Sequence, residues 1–303
     1  MRRGLLDIES LTRPEIEAIL ARSKDFQPTP GQSFKRLDTL RGRTIVNLFF
    51  EASTRTRTSF EIAAKRLGAD LISITAVASS VSKGESLVDT LNTLAAMRPD
   101  AIVMRHSASG APHFLSRYLP IPIVNAGDGT HEHPTQALLD ALTIIDRRGT
   151  LEGLRVAIIG DIAHSRVARS NIFLLSKFGA QVVLCGPASL LPREIGRLAP
   201  GVELATDMLK AIRDVDVIMM LRVQLERQHE PAFPINEYFQ FFGLRPEHIE
   251  LANSNLIVMH PGPINRGREI SSEVADSQRS VILNQVENGI AIRMAVLERV
   301  LAA

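Results

Sequence analysis

The stretch TIVNLFFEASTRTRTSFEIAAKRLG, residues 44–68, joins two kinds of periodicity through a polar cluster. Its opening, Thr44 to Phe50, is a β-branched and aromatic run that reads as a buried strand. Beyond the cluster, Phe60, Ala63, Ala64 and Leu67 recur at i, i+3, i+4 and i+7, one face of a helix. Thr58 with Glu61 fits a capping box where that helix starts, and Gly68 fits its stop. Between them, Ser53 to Thr58 holds one serine, three threonines and two arginines. Hydroxyls and guanidinium groups at that density are not core material, and a plain turn would use Gly, Pro, Asn or Asp. Where a strand hands over to a helix, backbone N–H groups are unpaired and the helix dipole favours an anion. Arginines add planar forks that match phosphate oxygens. The cluster reads as a phosphate seat; the plainer alternative is a solvated cap carrying surface arginines.

The same strand-then-helix alternation continues along the chain. Residues 100–106, 121–129, 155–161, 181–187, 216–224 and 255–263 are further short apolar runs that read as strands. After Pro134, Leu138, Ala141, Leu142 and Ile145 repeat the helical spacing. Strands separated by helices require crossover connections, hence parallel sheets covered on both faces. The expected class is α/β. A charged break at DRRGTLEG, residues 146–153, marks a hinge between domains. The segment from Ser280 to Ala303 reads as an amphipathic helix with Ile282, Val286, Ile290, Met294 and Leu297 on one side.

Composition excludes several classes. At 303 residues, 45% hydrophobic and 22% charged, the chain has ample material for cores. A formal net charge of +2 with interspersed signs gives no nucleic-acid surface and no polybasic membrane patch. No run approaches the length of a membrane-spanning helix, and the first residues form no signal peptide. The single cysteine, Cys185, ends an apolar run and reads as buried filler in a reducing, cytoplasmic protein.

The polar residues that resist a structural reading all follow strands. Arg105 and His106 close one run; His133 and Gln136 follow another in THEHPTQ; Arg166 follows a third in GDIAHSR. Arg222 and Gln224 follow VIMML, and HPGPINR follows LIVM. Ligands of open parallel sheets bind at the carboxyl ends of strands. Singly, each arginine also reads as a paired surface residue. His131 and His133 form an H-x-H pair, but no thiolates or H-E-x-x-H accompany them, so no metal is expected. IIGDIAHSR has one glycine where a dinucleotide loop needs three, and no cofactor motif is present. Without a cofactor or a nucleophile pattern, the simplest chemistry is direct group transfer from a phosphorylated donor to an acidic acceptor.

Taken together, STRTRTSFE, SSVSKGES, MRH, NAGDGTHEHPTQ, GDIAHSR, LRVQLERQ and HPGPINRG closely resemble the catalytic chains of the aspartate carbamoyltransferase family, over nearly the whole length and in order. S-T-R-T-R and H-P-T-Q are shared with the ornithine enzymes. LRVQ and HPGP stand where those enzymes carry S-M-G and H-C-L-P motifs, although HPGPINR departs from the HPLPR of some relatives. The resemblance implies two doubly wound parallel-sheet domains with the active site in the cleft between them. Residues 1–149 would bind carbamoyl phosphate, with a C-terminal helix, 285–303, folding back onto them; residues 150–284 would bind L-aspartate. It implies a homotrimer with shared sites, in which Ser79 and Lys83 come from the adjacent subunit. Ser53, Thr54, Arg55, Thr56 and Arg105 would hold the phosphate and carbonyl end of the donor. His133 with Thr56 and Arg105 would polarise the carbamoyl oxygen, and Gln136, Gly262 and Pro263 would hold the carbamoyl nitrogen. Arg166, Arg222, Gln224 and Lys83 would grip aspartate. The implied products are N-carbamoyl-L-aspartate, an early pyrimidine precursor, and phosphate. Rival readings are a carbamoyltransferase for another amine and a non-catalytic scaffold of a dihydroorotase complex. The resemblance also allows a larger complex of the trimer with regulatory chains or dihydroorotase.

Overall fold

A computed structural model describes residues 4–28, 34, 36–75, 87–224 and 233–301. Its backbone forms two compact units, one running through Leu138 and resumed from Glu287, the other Leu139–Val286. The first division falls inside a helix rather than in the charged break at 146–153.

In the first unit, β1 (Gly4–Leu5) and α1 (Arg13–Lys24) precede β2 (Thr44–Phe49), α2 (Thr54–Arg66) and β3 (Asp70–Thr75). Then come α3 (Leu87–Ala96), β4 (Ala101–His106), α4 (Ala111–Ser116), β5 (Ile123–Asp128) and α5 (Pro134–Arg148), which runs on into the second unit. The five strands are parallel in the order β1-β5-β4-β2-β3. One face of the sheet packs Val46, Leu48, Ile102, Met104 and Ile123 against Leu91, Leu94 and Leu115. The α2 residues read from the helical spacing, Phe60, Ala63, Ala64 and Leu67, are all fully buried.

The start of α2 differs from the sequence expectation. The helix begins at Thr54 with Ser53 as its N-cap, and the Arg57 N–H donates to Ser53 O at 3.1 Å. The polar cluster is therefore the first helical turn, not a loop before it. Nothing in Thr-Arg-Thr-Arg forbids helical backbone, since no proline or glycine interrupts it. Thr58 and Glu61 lie inside the helix, where Glu61 accepts from Ser73 Oγ at 2.7 Å instead of closing a capping box. Gly68 does end the helix, at φ +82°, and a Cβ there would meet Leu37 O at 2.7 Å.

The second unit contains β6 (Arg155–Ile159), α6 (Arg166–Lys177), β7 (Gln181–Cys185), β8 (Val202–Ala205), α7 (Met208–Ala211) and β9 (Val217–Met220). It continues through α8 (Ile235–Phe242), α9 (Pro246–Ile249), β10 (Ile257–Met259) and α10 (Ser272–Ala275) into α11 (Ile282–Leu301), which ends in the first unit. Its parallel sheet has the order β10-β9-β6-β7-β8. Ala157, Ile159, Val183, Ile218, Met220 and Val258 form one core face with Tyr238 and Phe242. Two five-stranded parallel sheets with flanking helices make the α/β class plain.

The helix expected at the C-terminus forms, and Ile282, Met294 and Leu297 of its expected stripe are buried, but the stripe is broken at Val286. Val286 is 54% exposed, whereas Gln285 and Asn288 are buried. Hydrogen bonds decide this: Gln285 accepts from His260 N–H and donates to Asp140, and Asn288 accepts from Gln27. No described helix is long and apolar enough to cross a membrane.

Cys185, the last residue of β7, is fully buried, and burial, with a smaller contribution from Asp207, pushes its thiol up to about 12. Only about one thiol in ten thousand would be thiolate at pH 8. Native protein is therefore expected to leave Ellman's reagent colourless until denaturant unfolds it. Reaction of the folded protein at the rate of a free thiol would contradict this placement.

Candidate functional site

In a doubly wound sheet, successive strands add on one side and then jump to the other, opening a crevice at the carboxyl ends where the order reverses. In the first unit β3 lies beside β2 on one side and β4 on the other, so the switch falls between β2 and β4. In the second unit β7 and β9 flank β6, so the switch falls between β6 and β9. β2 leads into the Ser53–Thr56 turn that opens α2, and Arg105 lies near the end of β4. Arg166 opens α6 after β6, and Arg222 and Gln224 follow β9. Every described candidate from the sequence sits at one of these two switch points or on the next strand outward.

At the first rim, Ser53, Thr54, Arg55 and Thr56 form the entry to α2. Thr54 and Arg55 are exposed and Thr56 is buried. The first-turn N–H groups of a helix have no acceptor within it, so the turn presents donors as well as hydroxyls. Arg105 stands opposite Phe49 in the β2–β4 register and is 9% exposed. Its guanidinium donates to Ala126 O at 3.3 Å and to Glu51 Oε1 at 3.0 Å. Glu51, not singled out in the sequence, thus anchors the head group at the strand end. Two pinned nitrogens make the arginine a fixed charge rather than a swinging one.

The β5–α5 connection brings His133 and Gln136 to the same rim, both buried. Pro134 opens α5, where a missing N–H costs nothing, which leaves His133 just before the helix. The His133 carbonyl accepts from Gln136 N–H at 2.9 Å. The loop is braced on both sides. Asp128 accepts from Gly110 N–H, Asn125 Nδ2 and Glu132 N–H, and the fully buried Glu132 carboxylate accepts from Ile8 N–H and Glu9 N–H at 2.9 and 3.2 Å. These distant partners of Glu132 carried no sequence signal.

At the second rim, Arg166 is the first residue of α6 and is 4% exposed. Ser165 caps that helix by accepting from Ala168 N–H at 3.1 Å. Asp161, fully buried after β6, accepts from His164 Nδ1 at 2.8 Å and, across to the β9 loop, from Gln224 N–H at 3.2 Å. This carboxylate ties together the segments that carry Arg166 and Gln224. Arg222, between them, is partly buried. Gly160 lets β6 approach β9 here, because at φ +143° an added Cβ would lie 2.8 Å from Leu221 Cβ.

Gly262 and Pro263 follow β10 in the second unit, joined by a cis peptide bond. His260 sets their loop: it accepts from Gly262 N–H through Nδ1 at 2.8 Å, and its Nε2 lies 3.1 Å from Glu269. A buried polar chain runs behind it from Gln285 to Asp140 and Asn171. The expected Ser79 and Lys83 lie outside the described residues. Ser53–Thr56, Arg105, His133 and Gln136 lie at or just beyond the carboxyl ends of the neighbouring strands β2, β4 and β5, and Arg166, Arg222, Gln224, Gly262 and Pro263 at or just beyond those of β6, β9 and β10. One set suits a phosphorylated group beside a polarised carbonyl, the other an acidic molecule.

Residues 3–146 match the family model for the carbamoyl-phosphate-binding domain of aspartate/ornithine carbamoyltransferases, and residues 152–300 match that for the Asp/Orn-binding domain. The chain is 79% identical, over 99% of its length and all of the relative, to a protein of Solibacter usitatus named aspartate carbamoyltransferase catalytic subunit. It resembles a Trypanosoma cruzi aspartate transcarbamoylase solved with carbamoyl phosphate and aspartate, at TM-score 0.88 and 32% identity, covering 97% of this chain and 95% of that one. An ornithine carbamoyltransferase from Pyrococcus furiosus is equally similar in shape, at TM-score 0.87, 32% identity and the same coverage. Backbone likeness therefore does not separate the two acceptors, whereas the 79% identical relative does.

Proposed function

Because the chain belongs to the aspartate/ornithine carbamoyltransferase family, we infer that it transfers the carbamoyl group of carbamoyl phosphate to the amino group of L-aspartate. The observation that carries the reading is the division of fixed positive charge between the two switch points, with Arg55 and Arg105 at one and Arg166 and Arg222 at the other. The first unit would seat the donor and the second the acceptor.

The roles follow from chemistry. Ser53, Thr54, Arg55 and Thr56, on the N-terminal turn of α2, would hold the phosphate through hydroxyls, backbone N–H groups and a guanidinium. The neutral amine of aspartate attacks the carbamoyl carbon, and the carbonyl oxygen takes up negative charge as the carbon becomes tetrahedral. Thr56, Arg105 and His133 would donate to that oxygen. The carbon–oxygen bond to phosphate then breaks. The departing phosphate accepts the proton lost by the amine, which balances the step without a further base. Gln136 and the backbone of the Gly262–Pro263 loop would orient the carbamoyl nitrogen. Arg166 and Arg222, with Gln224 and Lys83, would hold the two acceptor carboxylates; the side-chain ammonium of ornithine would meet repulsion there. The product, N-carbamoyl-L-aspartate, is a pyrimidine precursor. A lone buried cysteine is in keeping with a reducing cytoplasm.

Phosphate release measured with carbamoyl phosphate and each of aspartate, ornithine and putrescine tests the acceptor. Turnover with aspartate alone is expected; turnover with either amine instead would overturn the assignment. We further infer a homotrimer in which Ser79 and Lys83 complete a neighbour's site. Lys83→Ala and Arg55→Ala chains, each nearly inactive alone, should regain activity when dissociated, mixed and reassembled. Mixtures that stay inactive would refute the shared site.

A further inference from the structure

His131, the first histidine of the H-x-H sequence, turns toward Asp128 and His113. His131 Nδ1 lies 3.2 and 3.1 Å from the two Asp128 oxygens, and the His113 and His131 rings meet edge to face at 5.3 Å. One donor atom from each of His113, Asp128 and His131 lies within 4.8 Å of the others. His113 comes from α4, Asp128 from the end of β5, and His131 from the following loop, so three separate backbone positions converge. Asp7 adds a second carboxylate at the edge, 2.6 Å from His113 Nε2, while His113 Nδ1 is buried with no partner among the described residues.

We propose that His113, Asp128 and His131 form a binding site for a borderline divalent cation, with Zn²⁺ the best fit. Two imidazoles and one carboxylate are the ligand types that zinc takes, with a remaining position for water. Two zinc ligands at tetrahedral positions stand about 3.4 Å apart, so the donors need close in by little more than an ångström. The histidine side chains are 33% and 32% exposed, which leaves an entry path, while the Asp128 side chain is fully buried and anchored by three donors. An anchored carboxylate with two adjustable imidazoles is a preorganised site. With neutral imidazoles, Asp7 and Asp128 give the cluster a charge that a dication balances. Hard cations such as Mg²⁺ prefer all-oxygen shells and are disfavoured. The site braces the loop that presents His133; that consequence rests on the proposed function, but binding itself does not.

Chelator-stripped full-length protein is dialysed against Zn²⁺ and against Co²⁺, and bound metal is measured by mass spectrometry. About one equivalent per chain is expected at ~10 µM free Zn²⁺, unchanged by millimolar Mg²⁺, with visible d–d bands for Co²⁺. His113→Ala and His131→Ala, whose side chains are partly exposed, should each weaken binding at least about tenfold and abolish the zinc-induced rise in Tm. Circular dichroism checks that each variant folds; if one does not, the other and His131→Asn carry the test. No bound metal in the native protein would overturn the proposal and leave two histidine–carboxylate pairs. Binding that survives His113→Ala but is lost in His133→Ala would also overturn it, by assigning the metal to the H-x-H pair. Metal bound as expected in a protein with no transfer activity would sink the functional reading and not the site.

Discussion

Arg55→Ala is expected to lower kcat by at least about a hundredfold, as removal of one preorganised donor to a developing anion does. Arg55 sits in the first turn of α2, where it would extend the positive charge of the helix end toward a phosphate. Its head group is exposed, so the change removes a functional contact and not core packing. The melting temperature should stay within a few degrees of the parent, since exposed helical substitutions to alanine are nearly neutral. Arg55→Lys keeps a charge but loses the planar fork and should recover only part of the rate. Initial rates at saturating substrates decide it. A variant within threefold of the parent would remove Arg55 from the donor seat.

Arg166→Ala should act on the other substrate. Losing a buried, charge-assisted grip on a carboxylate costs about 2–4 kcal/mol, or roughly 30- to 1000-fold in affinity. The KM for aspartate is expected to rise by about that factor, with carbamoyl phosphate binding unchanged. Arg166 is buried at the start of a capped helix, so Arg166→Gln is the control that keeps volume and hydrogen bonding. If both variants leave the aspartate KM alone and lower only kcat, Arg166 belongs to the chemical step and the division between rims fails. The pairing of Asp161 with Gln224 N–H makes a weaker companion effect expected for Asp161→Asn, because that carboxylate braces the loop that carries Gln224.

What was legible in the chain follows from burial. The central strands β2, β4, β5, β6, β7 and β9 are covered on both faces, so each appears as an apolar run. The edge strands β3 and β8 were missed because they lie at sheet margins, where Asp70–Ile74 and VELA have exposed or half-buried side chains and no apolar run. β10 is also an edge strand, yet Ile257, Val258 and Met259 are all buried and its run was read correctly. Helix spacing revealed the buried face of α2 but not its start, since a capping-box pattern inside a helix looks like one at its end. The α11 stripe was read correctly at Ile282, Met294 and Leu297 but not at Val286, because Gln285 and Asn288 are buried by long-range hydrogen bonds that no local periodicity encodes. The site candidates were legible because arginine, histidine and clustered hydroxyls after apolar runs are conspicuous. The residues that hold them in place, Glu51, Glu132, Asp161 and His260, were not. Each acts through a partner remote in sequence or through a backbone N–H, and an isolated acid or histidine on the page has no such address.

Two separate sets of arginines would seat a phosphorylated donor and a dicarboxylic acceptor for one reaction. Calorimetric titration with a mimic carrying a phosphonate at one end and a dicarboxylic amide at the other tests it most directly. A single tight site per chain is expected in the parent, weakened in Arg55→Ala and in Arg166→Ala, and displaced by phosphate and aspartate together. No binding by the parent, or binding indifferent to either substitution, would contradict it.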